Sequence, residues 1–239
     1  MKKGIILLLA VLIAALSGCS FGGNNAPASN NTKSDQNGQG SATVAADEND
    51  QPGFNEDKIV KNIKVTSYTY SSYSYNYLLL VLKNNSKFNC KFEASVDLYD
   101  AKGNIVETKS QTVNAFAAGT EVMLKFDSKD KFKKYEYQFS ASELTYYTAV
   151  TQDLKTTSNI ATDKAIVSVT NNGKKAAMWT KANVIFFKGK KVVYSNLTYI
   201  GDSKNEIKPG KTQRGQVSCY EKFDNVKVYV DSYAKANES

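Results

Sequence analysis

No histidine occurs anywhere in this chain, and arginine occurs once, at Arg214. The first absence removes the commonest general acid–base group, the usual base of a nucleophilic triad and the usual transition-metal ligand. The second removes the forked guanidinium contacts with which proteins read bases and clamp phosphates, so no specific nucleic-acid partner is expected. Proline is scarce, at three residues, and cysteine equally so. Aspartate and glutamate remain for a paired-carboxylate hydrolase. In the C-terminal three-quarters of the chain, however, they stand singly at turns or on outward strand positions, as Glu93, Asp97, Asp100, Glu107 and Glu121 do. Asp97 and Asp100 could clasp calcium with turn carbonyls, but Asp100 is better placed to cap its own turn. Neither enzyme chemistry, nor a cofactor, nor a metal is expected.

Against these absences stands one long apolar run. Residues 4–18, GIILLLAVLIAALSG, follow Lys2 and Lys3. The run is too short for a comfortable membrane span and has the length of a signal-peptide core. It ends in Leu16, Ser17 and Gly18 before Cys19, which resembles the lipobox of bacterial lipoproteins. The resemblance implies cleavage after residue 18, a diacylglyceryl group on the Cys19 sulfur, and a protein held at the extracytoplasmic face of the cell membrane. Two acyl chains hold stably where one does not. Residues 19–57 are rich in Asn, Ser, Gly and Asp and show no periodic apolar pattern. A flexible linker is expected there, with a root-mean-square reach of roughly 35 Å.

Charge divides the rest. Residues 20–57 set Lys33 against six carboxylates, whereas residues 58–239 hold 28 Lys and Arg against 17 Asp and Glu. A basic body tethered to a membrane suits anionic neighbours such as lipid headgroups, a teichoic-acid-like cell-wall polymer or extracellular DNA, and another envelope protein is a further candidate partner.

Alternation dominates residues 58–239. Phe92, Ala94, Val96 and Leu98 share one strand face, and Lys91, Glu93, Ser95, Asp97 and Tyr99 the other. A turn at 100–103 ends in Gly103, and a strand returns from Ile105. About ninety residues later Ala182, Val184 and Phe186 repeat the pattern, followed by Lys188-Gly189 and Val192-Val193. LLLVLKNNSK (78–87) parallels AIVSVTNNGK (165–174), with Asn84 and Asn171 in matching places. Gly119 and Gly210 each precede a further strand. The chain is read as an internal duplication, all-β, with two tandem immunoglobulin-like β-sandwich domains at 58–142 and 143–239.

Val96-Asp97-Leu98-Tyr99-Asp100 with its Lys-Gly turn resembles the FxLYD domain, matching four of its five letters; Val96 stands for the first aromatic. Those domains are small Ig-like modules of bacterial lipoproteins and secreted proteins. The resemblance is good over 75–142 and weak over 164–234, where Lys188 replaces the aspartate. It implies a fold and an envelope location and no catalytic residue.

Two further features remain. Cys90 and Cys219 lie in different copies; either a bridge joins them, worth about 4–5 kcal/mol by loop closure, or both are semi-buried thiols. The segment SYTYSSYSYNY places Tyr68 and Tyr70 on one strand face and Tyr73, Tyr75 and Tyr77 on one face of the next segment. Such rows either pack a sheet or present a binding surface for sugar or peptide. Trp179 falls on the outward parity of its strand, as an interface anchor or a ligand platform. Two functions follow: non-catalytic binding or scaffolding in the envelope, or an accessory, ligand-binding subunit of a membrane transporter or envelope enzyme.

Overall fold

The structure is a computed structural model and describes residues 53–236. The signal peptide, the lipobox and Cys19 lie outside the described residues. Order begins before the expected linker boundary. Asn55 caps a short helix, α1 (Glu56–Lys61), by accepting from the Lys58 amide at 2.8 Å. Ile59 is fully buried, and Phe54 packs against the same core. Residues 54–57 therefore belong to the body, and the cap with its acidic first turn was the sequence signal for it.

The chain is otherwise nearly all β. The first half supplies β1 (Ile63–Ser72), β2 (Tyr75–Asn84), β3 (Cys90–Tyr99), β4 (Ile105–Phe116), β5 (Glu121–Ser128) and β6 (Lys134–Ser142). They form two antiparallel three-stranded sheets in the orders β4-β3-β6, here sheet 1, and β1-β2-β5, sheet 2. Between them lie Phe92, Val96 and Leu98 from β3 and Leu78, Leu80 and Leu82 from β2, with Phe116, Leu124 and Phe126. The alternation read over 91–99 is thus the core-facing pattern. Full burial of each such side chain contributes about 1.5–3 kcal/mol.

The second half contributes β7 (Tyr147–Ala149), a 3-10 turn at Thr151–Asp153, β8 (Leu154–Ala161), β9 (Lys164–Asn171), β10 (Met178–Lys188), β11 (Lys191–Tyr199), β12 (Thr212–Ser218) and β13 (Asn225–Lys235). Sheet 3 has the order β11-β10-β13-β7 and sheet 4 the order β12-β9-β8. Their shared core holds Val167, Val169, Val184, Phe186, Ile207 and Val217.

Two features make the halves structurally equivalent. Asn84 and Asn171 are both fully buried. The Asn84 side-chain amide donates to the Phe88 and Phe116 carbonyls, at 2.9 and 3.4 Å; that of Asn171 donates to Lys175 and Ile207, at 2.8 and 2.7 Å. Their backbone carbonyls accept from Gly119 and Gly210, at 2.7 and 2.8 Å. Both glycines have positive φ, 75° and 71°, which a turn of this shape requires. Sheet 2 therefore corresponds to sheet 4, and sheet 1 to sheet 3.

A third apolar layer joins the halves. Leu79 and Val81 from β2, with Met123 from β5 and Tyr70 from β1, meet Ile185, Phe187, Val192 and Tyr229 of sheet 3. Sheet 2 therefore packs on both faces, and so does sheet 3. The four sheets stack in the order 1-2-3-4, with the end of β4 also meeting β7 and β13 through Ala115, Ala117 and Ala149, and the described residues 53–236 belong to one compact unit.

Candidate binding groove

The tyrosine row serves mostly as a seam between the halves. Tyr70 is buried, its hydroxyl 2.7 Å from Ser195 Oγ and accepting from the Ser195 amide at 3.2 Å. Burial pushes its phenol well above the ordinary range, against the opposing pull of the Ser195 hydrogen bond. Tyr77 stacks on Tyr70 with centroids 4.6 Å apart, and Tyr75 follows at 6.2 Å. Lys125 Nζ lies 4.3 Å above the Tyr77 ring and donates to the Ser195 carbonyl at 3.1 Å. Tyr68 meets Phe187 edge-on at 5.7 Å, and Lys227 donates to its hydroxyl at 3.3 Å. Tyr73 alone projects freely, 84% exposed at the first position of a two-residue hairpin, with φ of 53°. The facing sheet covers Tyr70 and half-covers Tyr68 and Tyr77, so the row is not one continuous platform; Tyr68 and Tyr70 also line the floor of the groove described below.

The cysteine bridge is overturned as well. Cys90 and Cys219 are both free, and each is buried in the core of a different half. Desolvation pushes the Cys90 thiol up to about 12, so both behave as small apolar core residues. Trp179 sits at a bulge where β10 loses register with β13, with φ of 47°. It meets Tyr199 edge-on at 6.1 Å and stays 41% exposed. It rims a cleft of about 110 Å³ together with Thr112 and Asn114 from the first half. In that cleft the Asp231 side chain is 16% exposed. Its Oδ2 is 3.7 Å from Lys181 Nζ, and its Oδ1 has no hydrogen-bond partner among the described residues. Burial raises its carboxyl above the ordinary value, and the Lys181 charge only partly offsets this.

Asp100 spends its carboxylate on its own turn, accepting from the Lys102 and Asn104 amides at 2.7 and 2.9 Å. The Asn104 side-chain amide, donating at 3.0 Å, together with those backbone bonds holds it below the ordinary range. Asp97 accepts from the Thr108 hydroxyl. Among the described residues no three Cys, Asp or Glu side chains converge as metal ligands.

A larger concavity lies elsewhere, along the free side of β1. It is an open groove of about 760 Å³, floored by the consecutive residues 67–71. One wall carries Phe132, Lys133 and Tyr135 from the edge of sheet 1; the other carries Lys191 and Val193 from β11, with Glu221 beside them. Tyr135 is anchored to the floor by a 2.6 Å bond between its hydroxyl and Ser67 Oγ. Lys133 closes the stretch KDKFK at 129–133, and Lys191 closes KGKK at 188–191, so both walls continue into lysine-rich surface. Strand periodicity gave no hint of this groove. It is made by backbone at a sheet edge and by the offset of two stacked sheets, neither of which side-chain alternation encodes.

No protein-family model matches the chain, and no curated protein matches it.

Proposed function

We propose that this is a lipid-anchored extracytoplasmic protein whose Ig-like, FxLYD-like halves perform non-catalytic binding or scaffolding in the cell envelope. The observation that carries the reading is the open groove with lysine on both walls. Its polar side chains are spread along two walls and include one carboxylate, Glu221, which suits recognition of an extended anionic partner better than acid–base chemistry. The apolar run and Leu16-Ser17-Gly18-Cys19 support the anchor, and the basic body supports an anionic wall polymer or an acidic envelope protein as partner.

Two measurements test it. Cells fed labelled palmitate should incorporate it into the wild-type chain and not into Cys19→Ser, which should be released from the membrane; equal labelling of both removes the anchor. Residues 49–239, which contain the compact unit, should be retained on purified envelope at low salt and released at high salt. Passage through the envelope fraction at both salt concentrations ends the binding reading.

A further inference from the structure

Resting on that binding reading, we infer that the groove takes an acidic, extended segment of a protein partner as an added strand alongside β1. The polarity of the β1 edge can be fixed from its ends. Ser72 and Tyr75 close a two-residue hairpin, and the closing pair of such a hairpin exchanges backbone hydrogen bonds. At the far end the Asn85 amide donates to the Asn62 carbonyl at 3.1 Å, which sets the same parity. Even-numbered residues of β1 therefore turn their amides and carbonyls toward β2. Val65, Ser67, Thr69 and Ser71 turn theirs outward, and among the described residues no backbone or side-chain group meets them.

The opposite edge of the same sheet is treated differently. Lys109 Nζ from β4 donates to the Asp127 carbonyl of β5, and Gln111 Nε2 donates to the Lys125 carbonyl. Those side chains block β5 against strand addition. Exposed edges are usually blunted by charge, proline or a bulge. Residues 65–72, VTSYTYSS, carry none of these: no charge, no proline, and an unbroken register with β2. One edge of sheet 2 is closed and the other is open beneath a groove.

The walls select the partner. Side chains of an added strand alternate between the two walls, and Lys133 and Lys191 stand on opposite ones. Carboxylates on either face of the incoming segment thus meet a cation. Two copies pairing β1 to β1 would instead bring these lysine-rich walls together.

The probes are an alternating Glu-Val decapeptide, its Lys-Val counterpart, the acidic peptide N-methylated at alternate amides, and polyglycerol phosphate, each titrated into residues 49–239. The acidic peptide should bind and slow amide exchange at Val65, Ser67, Thr69 and Ser71. The basic peptide should not bind, and N-methylation on the hydrogen-bonding edge should weaken binding about tenfold or more, the loss of one or more backbone hydrogen bonds. Thr69→Pro removes an outward amide without touching the β1–β2 ladder and should weaken the acidic peptide similarly. The N-methyl peptide gives the same answer with the protein unaltered. Equal binding of both peptides, indifference to N-methylation, protection at other strands, or self-association through β1 in place of peptide binding overturns the inference. Binding of polyglycerol phosphate alone also overturns it while leaving the binding function intact; binding of no probe, with envelope retention still present, overturns only the strand.

Discussion

Sheets 2 and 4 occupy equivalent places in the two halves, yet one is packed on both faces and the other on one. In β2 the outward positions are Leu79 and Val81; their counterparts in β9 are Ile166 and Ser168. The same contrast separates β3 from β10. Asp97 and Tyr99 face outward in sheet 1, where Ile185 and Phe187 of sheet 3 fill the seam. The inward positions stay apolar in all four strands. Two structurally equivalent halves can thus keep the same interior and differ in partner by a few outward residues per strand. Because unlike sheets meet, the contact is of the head-to-tail kind that could repeat indefinitely. The polar outer faces of sheets 1 and 4 end the stack, as caps end a repeat array.

Exchanging outward residues between the halves breaks the comparison most severely. Ile185→Asp, which gives β10 the residue of β3, buries an unpaired carboxylate between sheets 2 and 3. It should cost about 4 kcal/mol or more and split denaturant unfolding into two transitions as the halves uncouple. The converse Asp97→Ile should change stability by less than about 1 kcal/mol. It should instead cause concentration-dependent association in sedimentation, by extending the stack. A single cooperative transition in the first variant would mean the seam does not couple the halves.

The buried asparagines sharpen the equivalence. Asn84→Ala and Asn171→Ala each remove two hydrogen bonds to backbone carbonyls, one buried and one part-buried, and should cost about 1–3 kcal/mol. Asn171 should lose more, since its two bonds, at 2.8 and 2.7 Å, are both short, whereas one of Asn84's is 3.4 Å. Equal and negligible losses by thermal melting would show that the repeated Asn is a relic of duplication without structural weight.

Tyr70→Phe comes next. It removes the hydroxyl partner of Ser195 inside the seam and should cost about 1–2 kcal/mol. Tyr73→Ala, at the exposed turn, should stay within about 0.5 kcal/mol. A ranking reversed between these two would contradict the seam.

Much of this was legible in the residues, and the gaps have physical causes. Alternation over 91–99 identified a one-sided strand and its inward set correctly. The paired Asn and the turn glycines marked the duplication, and the structure places them in matching hydrogen bonds. LLLVL at 78–82 and VIFF at 184–187 also announced something that alternation does not: continuous apolar runs mark strands covered on both faces. Tyr68 and Tyr70 were assigned to a common face correctly, but periodicity states which residues share a face and not what lies against it. Cys90 and Cys219 show the same limit. Their spacing allowed a bridge, and only the separation of the two cores excludes it. The closing strands are offset as well: the register pairs Val96 with Tyr137 and Val184 with Val228, so Tyr137 matches Val228. Setting KKYEYQFSAS (133–142) against NVKVYVDSYA (225–234) by the order of residues would match Tyr137 with Tyr229, one position off.

The smallest effect concerns Asp231, whose counterpart Ser140 in β6 is an exposed, uncharged residue. The cleft beside Trp179 leaves Asp231 with one oxygen unpartnered among the described residues, and its carboxyl titrates above the ordinary 3.8 despite Lys181. The folded state therefore holds this proton to higher pH than the unfolded chain does. Its contribution to stability is greatest below the ordinary carboxylate range and declines as pH rises through the raised value. Asp231→Asn removes that decline. The stability difference between variant and wild type, from denaturant midpoints, should move in the variant's favour as pH rises above the ordinary carboxylate value. Ser140→Ala in the other half should show no such slope. A difference that moves toward the wild type as pH rises would mean that the Lys181 pairing outweighs burial, and that this half tolerates its buried charge at no cost.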